Sequence, residues 1–212
     1  MLAKQLLLLS MNTLLILDLV GTFAFAALGV IAGLHKGIDI LGAFILGCVT
    51  GLGGGIIRDL ILDIPVAAFY NFWYLPIVFL AAMMTFLFPR FFIFNYQFLL
   101  ILDALGLGMF AAIGTEKAIQ SETTLAGTLL LGMVSAAGGG MLKDMLLGEI
   151  PSVLCKEIYM TSALAGSFIF CLLHSLLPLD INFLFSVLIT IVLRLFSLKM
   201  GVNLPFRFLR IK

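Results

Sequence analysis

Apolar runs of about 20 residues, each closed by a short polar or turn-forming cluster, set the rhythm of this chain. Seven runs can be marked, at about residues 12–34, 38–62, 72–89, 97–119, 123–147, 158–177 and 181–199. A helix of roughly that length crosses about 30 Å of hydrocarbon. The clusters between the runs are His35-Lys36-Gly37, Asp63-Ile64-Pro65, Pro89-Arg90, Glu116-Lys117, Gly148-Glu149-Ile150-Pro151 and Pro178-Leu179-Asp180. Aromatic residues gather near several run ends (Tyr70, Trp73 and Tyr74; Phe91, Phe92 and Tyr96; Tyr159), as in an interfacial belt. The pattern predicts one transmembrane domain over residues 1–212, with no loop long enough to hold a soluble domain.

The runs are not independent. Gly51-Leu52-Gly53-Gly54-Gly55-Ile56-Ile57-Arg58-Asp59 in the second run is echoed by Ala136-Ala137-Gly138-Gly139-Gly140-Met141-Leu142-Lys143-Asp144 in the fifth. A constant offset of 85 residues relates the copies without a gap, from Asp18/Asp103 to Leu62/Leu147. Asp18, Gly21, Phe25, Ala26, Ala27, Gly29, Gly42, Gly47, Asp59 and Leu62 each meet an identical residue at the second address. This is an internal duplication of three runs, about residues 12–89 and 97–177, with the seventh appended. An odd number of crossings per copy turns the second copy upside down relative to the first. The expected fold is therefore an all-α integral membrane protein of seven transmembrane helices: an inverted-topology 3+3 repeat plus one helix.

Composition fixes the solvent. The chain is 63% hydrophobic and 11% charged over 212 residues, too little polar surface for a soluble domain of this size. A net charge of +1 leaves no basic face for a nucleic-acid partner. Cys48, Cys155 and Cys171 lie in apolar runs without metal-ligand spacing and read as small core residues. Lys4 and the leucine run after it resemble a signal peptide. However, residues 18–29 match residues 103–114 in mid-chain, so the first run belongs to the mature fold. Lys36, Arg90, Lys156, Lys199, Arg207, Arg210 and Lys212 fall on one side of the membrane, and Lys4 and Lys117 on the other. The richer side is expected to be cytoplasmic, with the N-terminus outside.

The repeated stretch carries the candidate chemistry. Three consecutive glycines invite a kink or an unwound turn, and carbonyls freed there must be satisfied by protein or water. Arg58 and Asp59 follow within a turn of the break, pointing about 100° apart, as do Lys143 and Asp144. The expected pairing is therefore across the two-fold, Arg58 toward Asp144 and Lys143 toward Asp59. Thr50 and Ser135 add matched hydroxyls, and Asp18 and Asp103 are matched carboxylates inside the first and fourth runs. Glycines alone would equally serve a close helix crossing, but packing does not call for a cation and an acid beside each triplet. Glu116, Lys117 and Glu122 read as a solvated loop, and His35 and His174 as interfacial. No nucleophile–base constellation, metal-ligand spacing or phosphate-cradling loop points to an enzyme or a cofactor.

Seven runs arranged three, three and one, with Gly-Gly-Gly-x-x-[Arg/Lys]-Asp in the second and fifth, resemble the prokaryotic relatives of the trimeric intracellular cation (TRIC) channels. The same sequences are also known as glycine transporter domain proteins. The resemblance spans about residues 12–199. It implies a homotrimer in a prokaryotic inner membrane, each subunit holding a pore that conducts monovalent cations, chiefly potassium. The implied pore elements are Gly53, Gly54, Gly55, Arg58 and Asp59, with Gly138, Gly139, Gly140, Lys143 and Asp144. Animal members carry a lysine-glutamate-valine motif in this region, where Lys143 is here followed by Asp144 and Met145, so their lipid regulation does not transfer. A cation would be held by carbonyls released at the glycine breaks, with oxygens from Thr50, Ser135, Asp18 and Asp103. The alternative is a secondary transporter of a small zwitterion such as glycine, since inverted repeats with broken helices also build transporters.

Overall fold

A computed structural model describes residues 2–155 and 157–200; Lys156 and the basic tail at Arg207, Arg210 and Lys212 lie outside the described residues. The described chain is helical, in the order α1 (Leu2–His35), α2 (Ile40–Ile61), α3 (Ala67–Tyr70), α4 (Tyr74–Leu87), α5 (Pro89–Phe94), α6 (Tyr96–Gln120), α7 (Leu125–Leu146), α8 (Ser152–Cys155), α9 (Glu157–Leu173) and α10 (Leu179–Met200). Among the described residues, five helices are long and apolar enough to cross a membrane: α1 from Thr13, α2, α6 from Gln97, α7 and α10. The third and sixth runs become shorter apolar helices, α4 of 14 residues and α9 of 17. The short helices α3, α5 and α8 lie in the segments beside them.

Local chemistry at equivalent positions explains why the two halves fold alike. The Asp39 carboxylate accepts from Gly42 N at 2.7 Å and starts α2; Thr124 Oγ1 accepts from Gly127 N at 3.3 Å and starts α7. The helix ends match as well. After α1 and α6, Gly37 and Glu122 have positive φ; after α2 and α7, Asp63 and Gly148 do. At all four, the next amide donates five residues back: Ile38 to Gly33, Thr123 to Ala118, Ile64 to Asp59 and Glu149 to Asp144. These bonds satisfy carbonyls that a helix end would otherwise leave unpaired.

Helix α1 packs on α2, α6 on α7, and the pairs meet through α2 against α7 and α1 against α6. Helix α10 packs mainly on α6 and α9, so it buttresses chiefly the second half, with a lesser contact to α1. The faces turned outward carry large apolar side chains, among them Ile40, Ile45, Leu60, Phe79, Leu184, Leu188 and Val192. Water does not tolerate so large a continuous apolar exterior, whereas lipid does.

Candidate functional site

Glycines bring α2 and α7 together at mid-chain. A Cβ on Gly54 would collide with the Ser135 carbonyl, and one on Gly139 with the Thr50 carbonyl. A Cβ on Gly138 would lie 3.2 Å from Gly54 Cα, and one on Gly53 3.5 Å from Gly139 Cα. Each contact is the mirror of another under the 85-residue offset, as a two-fold axis through the crossing requires. The helix nevertheless runs without interruption from Ile40 to Ile61 and from Leu125 to Leu146. The expected unwound turn is therefore absent, and no run of freed carbonyls is available to hold a cation. The first two glycines of each triplet serve a close crossing.

Two cavities flank this crossing, and most residues of their linings are equivalent. One, of about 10 Å³, is bounded by Asp18, Thr22, Gly55, Arg58, Asp59 and Tyr74, with Phe110 at its end. The other, of about 290 Å³, is bounded by Asp103, Gly140, Lys143, Asp144, Tyr159 and Arg194, with Phe25 at the matching place; Thr50 also faces it. The third glycine of each triplet thus borders a cavity. Gly53, Gly54, Gly138 and Gly139 lie in the wall between them, as does Ser135, whose Oγ accepts from Arg58 Nη1 at 3.5 Å.

In the smaller cavity the charges form a compact cluster. Arg58 Nε donates to Asp59 Oδ1 at 2.8 Å, and Arg58 Nη2 lies 3.6 Å from Asp18 Oδ2. Tyr74 Oη donates to the same Asp18 oxygen at 2.7 Å. Lys117 Nζ, from α6, donates to Asp59 Oδ1 at 3.0 Å. Arg58 is among the largest fully buried side chains in the protein, 1% exposed. A cation so placed survives because two carboxylates and a hydroxyl face it.

The larger cavity repeats this with one replacement. Lys143 pairs with Asp144, and Tyr159 Oη donates to Asp103 Oδ1 at 3.2 Å. Lys143 makes no ion pair with Asp103; Arg194 of α10 takes that place, donating from Nε and Nη2 to Asp103 Oδ2 at 3.1 and 3.0 Å. Its guanidinium also sits 4.5 Å over the Tyr159 ring. Asp103 and Lys143 present the accessible charge here, with side chains 22% and 21% exposed, while Arg194 and Asp144 stay behind them at 3% and 4%.

Several expectations are corrected by this geometry. The cross-pairs Arg58–Asp144 and Lys143–Asp59 do not form; each cation pairs with its neighbour in sequence. The reason lies in the aspartates. Asp59 Oδ2 accepts from Ala67 N at 2.9 Å and Asp144 Oδ2 from Ser152 N at 2.7 Å, which holds each carboxylate to the short helix of its own half. Glu116 and Lys117 are not a solvated loop but part of α6, with Glu116 only 3% exposed, whereas Glu122 is exposed beyond the helix end. His35 and His174 are both exposed at helix ends, His174 with its Nδ1 3.5 Å from Glu116 Oε2. Tyr74 and Tyr159 are interior carboxylate donors, each 5% exposed, rather than belt residues. Of the three cysteines none is buried, and Cys155 is exposed. Arg194 lies outside the duplication, and its one signal in the sequence is a lone cation within an apolar run.

Fold and site define a membrane protein built from two equivalent helical bundles, with a charged cavity in each. The profile of the family described as glycine transporter matches residues 15–90 and again residues 100–175. The inner membrane protein YadS of Escherichia coli K12, of the UPF0126 group, is 33% identical over 200 residues, covering 89% of this chain and 93% of the relative. YvgT of Bacillus subtilis 168, from the same group, is 36% identical over 156 residues, covering 73% and 77%. Among solved structures, one determined for the basis of conductance through TRIC cation channels superposes with a TM-score of 0.85 at 36% identity, covering 93% of this chain and 98% of that one. The TRIC trimeric intracellular cation channel orthologue from Rhodobacter sphaeroides superposes at 0.83 and 36% identity, covering 89% and 98%. The chain belongs to this family of prokaryotic TRIC-type membrane proteins.

Proposed function

We propose that the protein is a channel for monovalent cations, potassium among them, with a pathway inside each subunit of a homotrimer. The supporting observation is the pair of equivalent charged cavities on either side of the α2–α7 crossing. Such an arrangement forms a through-path once the crossing and the smaller cavity loosen. In the open cavity, Asp103 offers a carboxylate whose counter-charge, Arg194, is buried behind it, so a passing cation meets the acid first. Thr50 supplies oxygen at the inner end; in the closed half the corresponding acids are Asp18 and Asp59. Arg58 and Lys143, already paired with Asp59 and Asp144, act as electrostatic barriers whose side chains must swing clear of the pathway for an ion to pass. The TRIC structures with which the chain superposes are described as cation channels, and that of the Rhodobacter sphaeroides orthologue as trimeric. In this reading residues 1–212 form one transmembrane domain, with repeats at about 12–89 and 97–177 and the seventh helix at about 181–199, in a prokaryotic inner membrane. The N-terminus is outside and the C-terminus cytoplasmic.

A second reading has its own support. One cavity is open and its equivalent shut, as in a carrier that exposes its site to one side at a time. The charges facing the open cavity, Asp103 and Lys143, are of opposite sign and suit a zwitterion such as glycine. Purified protein in planar bilayers separates the two. Single-channel current steps without glycine support the channel; saturable glycine uptake without steps supports the carrier.

A further inference from the structure

The two cavities have largely equivalent linings but very different reach, and among the residues that differ along the exits one pair stands out. The larger cavity continues past Phe25 along α1, bordered by Leu28, Ile31 and Ala32, and comes out beside the exposed His35. The equivalent route past Phe110 runs along α6, where the corresponding residues are Ile113, Glu116, Lys117 and Gln120. None of these four borders the smaller cavity, which ends at Phe110. Lys117 stands where the other half has Ala32. Its ammonium reaches from the second repeat into the first and holds Asp59 Oδ1 at 3.0 Å, with only 13% of the side chain exposed. The mirror contact, Ala32 to Asp144, has neither length nor charge to form.

We infer that Lys117 is the bolt that makes one end of an otherwise two-fold subunit the closed end, and that Ala32 leaves the other end open. The residue acts by position: it fills the exit along α6 and ties α6 to α2 through Asp59, the carboxylate that also holds Arg58 and the Ala67 amide. Breaking a largely buried ion pair is costly when one partner stays behind. Here Asp59 keeps Arg58 and the Ala67 amide as partners, so loss of Lys117 opens the exit without stranding a charge. Lys36 and Glu149 also bridge the halves, but both side chains are nearly half exposed, 47% and 45%, at the open end. A solvated pair of this kind contributes little, so it does not equal the Lys117 contact.

Thiol labelling from either side of a sealed proteoliposome tests this. With Cys48, Cys155 and Cys171 replaced by serine, Thr22→Cys reports on the smaller cavity and Thr50→Cys on the larger. A charged, impermeant thiol reagent should modify Thr50→Cys readily from one side and Thr22→Cys hardly at all. Adding Lys117→Ala should raise the Thr22→Cys rate by about tenfold or more, from the side opposite to that which reaches Thr50→Cys. Lys117→Met, which keeps the volume but not the charge, should raise it less. Ala32→Lys should slow labelling of Thr50→Cys. Unchanged Thr22→Cys rates in both Lys117 variants, with Thr50→Cys still reactive, overturn the inference. It rests on the proposed pathway, but labelling does not depend on what the pathway carries. Altered rates in a protein that passes no current keep the bolt and remove the channel; unaltered rates in a conducting protein do the reverse.

Discussion

Phe25 and Phe110 stack on each other, ring centroids 5.5 Å apart and planes within 11°. Each is the other's counterpart in the duplication, and a residue meets its own equivalent only beside the axis relating the copies. The same reciprocity governs Gly21 against Phe110 and Gly106 against Phe25. Every functional group described above is therefore present twice or conspicuous by differing between the halves. The stacked pair should show measurable coupling. In a double-mutant cycle with Phe25→Leu and Phe110→Leu, we expect about 0.5–1.5 kcal/mol beyond additivity. Reversible unfolding in detergent checks this, and additive losses would show that the stacking is incidental.

Alanine substitution within the triplets should divide by position rather than by residue type. Gly54→Ala and Gly139→Ala place a methyl group against a backbone carbonyl that cannot give way, so each should destabilise by roughly 1–3 kcal/mol or more. Gly55→Ala meets the Arg58 guanidinium at 3.5 Å and Phe110 Cε1 at 3.8 Å, and Gly140→Ala meets Tyr159 Oη at 3.8 Å, all ordinary contact distances, so both should be tolerated. Thermal unfolding of the four variants is the measurement. Equal losses at all four positions would mean that helix geometry, and not the crossing, requires the glycines.

Arg194 should matter mainly through Asp103. Arg194→Met leaves that carboxylate without its doubly bonded partner, at a cost of roughly 3 kcal/mol, the lower end for a broken buried pair because Asp103 is partly solvated. Arg194→Met combined with Asp103→Asn should recover most of the loss. Guanidinium-free variants as stable as the parent would assign Arg194 no such role.

The exposed Lys36–Glu149 pair provides the contrast. Glu149→Gln should change stability by less than about 0.5 kcal/mol and lose even that at high salt. A larger effect, read in the same unfolding assay, would give the open end a clasp that solvation argues against.

The sequence disclosed what is duplicated and little else of the site. Asp18, Asp103, Arg58, Asp59, Lys143 and Asp144 stood out because the offset marked each twice, and all of them border the cavities. Tyr74 and Tyr159 share the same offset, yet aromatics near the ends of apolar runs resemble a lipid belt, and only packing shows them turned inward. Lys117, Ala32 and Arg194 were hidden for the opposite reason: they lie where the repeats differ or where no repeat exists. The triplets were ambiguous in principle. Glycine permits both an unwound turn and a close crossing, and the choice depends on what the facing helix presents, here the carbonyls of Thr50 and Ser135. Helix spans were legible from hydropathy, except that α9 ends at Leu173 within the sixth run and that the short helices α3 and α8 lie outside the runs.

The most direct test of the account is the reversal potential of purified protein in a planar bilayer under a potassium chloride gradient, for the parent and for Arg58→Ala and Lys143→Ala. The account predicts discrete current steps that reverse near the potassium equilibrium potential, with conductance or open fraction altered in both variants. Steps reversing near the chloride potential, or no steps under any gradient, would contradict it.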